Sequence, residues 1–191
     1  MSNENRPFGL RSLKTQAGAD VNGQAQLVHF PDTDATAAFM GTPVVLSGDA
    51  DEVEKCPNVA TAPAGGRVEA IIAGFRPNYG SGLNNDNKSR AASTKRYAYA
   101  QLVGNGEEFA VQANAPVTTA MVGQLFDLTA EAGNGVTGHS TVELDIATAS
   151  AASGQVQLMR VVNEPDNEFG PFADCVVRFN ESAGSSETDG V

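Results

Sequence analysis

Hydrophobic and polar positions alternate over residues 141–146, where Val142, Leu144 and Ile146 share one side and Thr141, Glu143 and Asp145 the other. This period of two predicts a strand with one buried and one wet face. Residues 155–162 start in the same way with Val156 and Leu158, then shift phase to Met159 and Val161. A one-residue phase change predicts a β-bulge. Cys175, Val177 and Phe179 define one face of a last strand, with Val176 and Arg178 on the other. Residues 67–75 are apolar on both faces towards their end, which predicts a central strand. A short apolar run at 43–46 follows Gly41.

Residues 97–103 and 108–113 flank Gly104-Asn105-Gly106, which predicts a hairpin joining two paired strands. No window carries an apolar stripe over three helical turns. Helix is limited to one or two turns within 117–124 and one within 35–40. The fold class expected is therefore all-β: an antiparallel barrel or sandwich with short helical turns. Residues 1–25 are polar with no sustained period and read as an extended N-terminal arm that adds little to a core. Residues 26–181 form the β-rich domain, and 182–191 read as an acidic, disordered C-terminal tail.

Charge refines this picture. The 191 residues hold 12 Lys and Arg against 23 Asp and Glu, a net of -11. That balance disfavours general binding to nucleic acid or anionic membrane. The charge is segregated: Arg67, Arg76, Lys88, Arg90, Lys95 and Arg96 face only Glu69 and Asp86 within residues 67–96. The stretch includes a long polar loop, 80–94, of the kind that often carries function. Its basic residues read either as a solvated loop face or as an electrostatic contact with an acidic protein surface.

Candidate chemistry is sparse. His139, Ser140, Glu143 and Asp145 lie close in sequence but run into an alternating strand, without the elbow a nucleophile needs. The acidic runs at 32–34, 49–54 and 166–168 lack the order of a calcium loop and read as solvated turns. Phosphate-binding glycine motifs are absent. Cys56 and Cys175 allow one long-range disulfide but read better as two separate buried thiols, and with His29 and His139 they lack zinc-site spacing. There is no apolar run of membrane-spanning length and no secretory leader pattern. The expectation is a non-enzymatic protein without cofactor or metal.

The order of segments NRPFGLRSLK, AFMGTPVVLSGDAD, RVEAIIAGFRPN, RYAYAQLV, EEFAVQAN, VTGHSTVELD, QVQLMRVVNEPDNEFG and ADCVVRFN resembles a family of small structural proteins of tailed bacteriophages. These are head decoration or cement proteins, and the likeness spans roughly residues 5–180. The resemblance implies an all-β module made in the host cytoplasm and bound to the outer surface of the virion head. It further implies a homotrimer that bridges major capsid subunits and stabilises the head. Its partners would be the major capsid protein and copies of itself, with no direct contact to nucleic acid or membrane. Candidate capsid-interface residues are Arg6, Phe8, Leu10 and Arg11 on the arm, and Arg76, Lys88, Arg90, Lys95 and Arg96 in the basic stretch. An alternative is a head-fibre or tail component that binds host glycan, with Tyr79, Tyr97 and Tyr99 stacking on sugars.

Overall fold

The computed structural model describes residues 3–15, 25–77, 88–104 and 106–180. In chain order the strands are β1 Arg11–Thr15, β2 Gln26–Phe30, β3 Pro43–Ala50, β4 Pro57–Thr61, β5 Ala70–Phe75, β6 Arg96–Leu102 and β7 Glu107–Gln112. They continue with β8 Leu125–Leu128, β9 Gly133–Asn134, β10 His139–Ser140, β11 Leu144–Ser150, β12 Val156–Val161 and β13 Asp174–Phe179. A 3-10 turn at Thr119–Met121 falls inside the window that favours a short helix. Residues 35–40 form no helix: Ala38 and Met40 make isolated bridges to Arg90 and His139 instead.

The fold is all-β, as expected, and it combines a barrel, a larger sheet and a two-stranded pair of β9 and β10. Strands β2-β4-β3-β5-β6 close a five-stranded barrel, and a six-stranded sheet runs β1-β7-β13-β12-β8-β11. Pairing between strands is antiparallel except where β2 meets β4 at His29 and Asn58, and the isolated bridges Met40–His139 and Ala113–Leu144 are parallel too. One core fills the barrel with Val28, Phe30, Val44, Val59, Ala70, Ile72, Ala98 and Ala100. A second lies on the six-stranded sheet and includes Phe109, Val111, Phe126, Leu144, Leu158, Cys175 and Val177. Strand β5 serves both: Ala70 and Ile72 point into the barrel, while Ile71 between them joins the second core. The alternating directions of neighbouring side chains make this sharing possible. Pairing with β3 and β6 gives β5 its central place.

Several expectations hold in detail. Val142, Leu144 and Ile146 are all buried. The ladder between β12 and β13 shifts register between Leu158 and Arg160, at the expected bulge. Cys56 and Cys175 are buried free thiols.

Two expectations are corrected. β6 and β7 are not a hairpin, because β6 pairs with β2 and β5 in the barrel and β7 with β1 and β13 in the other sheet. The turn between them is a crossing from one sheet to the other; Asn105 itself lies outside the described residues. The N-terminal stretch does add to the core. Leu10 is only 3% exposed within the second cluster, and β1 pairs with β7. The expected C-terminal tail lies outside the described residues.

Candidate functional site

Over its described residues 3–15 the arm is fastened at several points. Asn3 donates through Nδ2 to the carbonyls of Glu168 (2.8 Å) and Pro171 (2.9 Å) and accepts from the Glu168 N–H (2.9 Å). Gln112, almost fully buried on β7, accepts from the Arg6 N–H (2.7 Å) and donates to the Glu4 carbonyl (3.0 Å). The Leu10 N–H donates to the Gly41 carbonyl at 3.1 Å. Gly9 has a φ of +73°, and a Cβ there would lie 2.7 Å from the Ser140 Cβ. Only glycine combines that backbone turn with that approach.

Where the arm crosses towards the barrel it leaves a groove of about 650 Å³. Arg6, Phe8 and Arg11 line the arm side, Ile71, Ala73 and Gln101 the barrel side, and Glu164 and Asp174 an acidic border. The Arg11 guanidinium sits 5.3 Å from the centre of the Phe8 ring. Gln101 is 7% exposed; its Oε1 accepts from the Ser12 hydroxyl, while its Nε2 is buried without a partner. Burial pushes the Asp174 carboxyl above the ordinary aspartate range, against a hydrogen bond from Gln112.

The basic stretch behaves differently from its sequence. Arg90 is 1% exposed and all five of its N–H donors are met. Nε donates to the Thr94 carbonyl, Nη1 to the Thr36 carbonyl and Asp34, and Nη2 to the carbonyls of Pro31 and Asp34. Its guanidinium also lies 5.0 Å from the Phe30 ring centre. Arg76 pairs with Glu54 at 2.8 Å, Lys95 with Asp32 at 3.8 Å and Arg67 with Glu69 at 3.4 Å. Arg96 stacks over Phe75 and donates to the Ser89 carbonyl. The segregation of charge along the chain is therefore largely cancelled in space.

Of the nine interface candidates, two are corrected. Leu10 belongs to the core and Arg90 to a buried polar knot, so neither side chain presents a surface to a partner. Arg6, Arg11, Lys88 and Lys95 are exposed, and Phe8, Arg76 and Arg96 are half-buried. The fold brings Arg6, Phe8 and Arg11 into one groove and keeps the basic stretch outside that lining. Sequence reading missed Gln101 and Gln112, since a glutamine within a strand signals nothing until its partners are known. Two of the three tyrosines of the sugar-binding alternative lie two residues apart on β6. Tyr97 donates its hydroxyl to Asp51 at 2.8 Å, Tyr99 is exposed, and Tyr79 lies outside the described residues.

The acidic runs are more structural than solvated turns. Asp34 accepts from the Thr61 N–H and hydroxyl at 3.1 Å each, and Asp51 caps the turn through the N–H groups of Val53 and Glu54. His29 contacts Asn58 at 2.8 Å and Asp51 at 3.8 Å. Ser140 donates its hydroxyl to Glu131 at 3.0 Å, while His139 is exposed at the groove. Among the described residues no group of three His, Cys, Asp or Glu side chains is placed to hold a metal ion. Comparison with protein-family models, curated proteins and solved structures returns no match.

Proposed function

We propose that this chain is a head decoration protein, bound as a homotrimer to the outer surface of a tailed-phage capsid, where it bridges major capsid subunits. The observation that carries the reading is where the family-like segments fall. PVVLSGDA is β3, AIIAGF is β5, RYAYAQL is β6, EEFAVQ is β7, VQLMRV is β12 and DCVVRF is β13. The likeness thus follows the framework of an all-β module, the fold class the resemblance implies.

A cement protein gains affinity from many modest contacts to several neighbours, so that no single strong site is needed. Rigid presentation lowers the ordering cost of each contact. The arm supplies such a surface, because Asn3, Gln112 and Gly41 hold its backbone while Arg6 and Arg11 stay exposed. Lys88 and Lys95 add exposed positive charge elsewhere.

Purified particles test this reading. The chain is expected at a fixed ratio to the major capsid protein, and heads that lack it are expected to break at lower temperature or osmotic stress. Abundance in producing cells with absence from purified particles would contradict it.

A further inference from the structure

We propose that the groove between the arm and the barrel is a binding site for an extended peptide segment carrying a carboxylate side chain. This rests on the decoration reading only for the source of the peptide, a surface segment of the capsid protein. The chemistry rests on the groove.

Its size suits a ligand of several side chains. Its floor is mixed, with Phe8, Met40 and Ile71 beside the amide of Gln101. The Gln101 Nε2 is a buried donor without an acceptor. Leaving such a donor unmet costs stability, which an incoming oxygen recovers once the amide turns towards the groove. Arg11 supplies the positive charge: it is exposed, stacked on Phe8, and forms no ion pair among the described residues. Arg6, by contrast, is held by Glu4 at 3.2 Å.

An extended chain fits better than a compact ligand because β1 ends the six-stranded sheet, with no further partner strand among the described residues. Edge strands offer backbone groups for pairing with a further strand. Glu164 and Asp174 also line the groove and accept backbone N–H groups of the ligand, while Arg11, whose charge also acts on Asp174, takes its acid.

The test uses the isotopically labelled full chain and two synthetic peptides, acetyl-Ser-Val-Thr-Glu-Val-Thr-Ser-amide and its glutamine counterpart. The glutamate peptide is expected to shift the side-chain amide signal of Gln101 and to bind roughly tenfold more tightly than the glutamine peptide. Arg11→Gln should abolish that difference, and Arg178→Gln should preserve it. Equal affinities, no binding of either peptide, an unmoved Gln101 signal, or a difference that survives Arg11→Gln would each overturn the proposal. Particle occupancy is measured separately with the same variants. Occupancy without peptide binding removes the groove site and leaves decoration standing; peptide binding without occupancy does the reverse.

Discussion

Arg90 and Asp34 form a buried ion pair, Nη1 to Oδ2 at 3.1 Å, that ties three separate segments together. Asp34 reaches Thr61 at the end of β4, while Arg90 reaches the carbonyls of Pro31, Thr36 and Thr94. Burial lowers the Arg90 pKa, and the neighbouring carboxylate opposes that shift. Removing one partner strands the other as a buried charge. Arg90→Met is therefore expected to cost about 3–5 kcal/mol in urea unfolding. Arg90→Lys should recover only part, since an ammonium cannot serve five oxygens in a planar fork. A variant Arg90→Met as stable as the parent would show that the knot contributes little.

Glu131 should make stability depend on pH. Burial pushes its carboxyl up to about 8, against hydrogen bonds from the Ser140 and Thr42 hydroxyls. The folded chain then holds this proton more tightly than the unfolded chain. The contribution is full below the ordinary glutamate range, is lost as pH rises towards 8, and stays lost above it. Relative to Glu131→Gln, the parent should lose on the order of a few kcal/mol between pH 5 and pH 9. Parallel stability profiles for the two proteins would show that Glu131 titrates normally.

The docked arm predicts two local losses. Leu10→Ala should cost about 2–5 kcal/mol, as for other large-to-small changes in a core. Gly9→Ala should cost at least about 1–3 kcal/mol, because the new Cβ meets Ser140 in a left-handed backbone. Thermal unfolding measures both. Arg6→Glu and Arg11→Glu should leave stability within about 0.5 kcal/mol, as at other exposed positions. Those exposed positions, rather than deletion of the arm, are the clean probes of partner binding.

The two thiols should react slowly and unequally. Burial raises both, and Cys175 reaches about 12. Since the thiolate is the reactive form, iodoacetamide at pH 8 should modify Cys56 slowly and Cys175 only on unfolding. Rapid loss of both thiols in the native protein would contradict their placement.

What the sequence disclosed was local. The period at 141–146 and the phase slip at 158–160 were legible because each is a property of one strand. The partners of strands were not legible. The glycine turn after β6 has the composition of a hairpin, yet β6 already has β2 and β5 on its two sides. Arg90 resembles any loop arginine until Asp34, far away in sequence, folds beneath it. Leu10 looks like an isolated apolar residue in a polar arm because its neighbours in the core come from strands much later in the chain. The charge pattern misled for the same reason: Glu54, Asp32 and Asp34 neutralise bases that sequence order keeps apart.

Attachment to the capsid exterior is tested most directly by electron cryomicroscopy of purified particles made by the genome that encodes this chain. The decoration reading predicts density for the barrel and six-stranded sheet on the outer face of the head, arranged as trimers across capsid subunits. Heads whose outer density is fully accounted for by other proteins, with this chain absent from the particle, would contradict it.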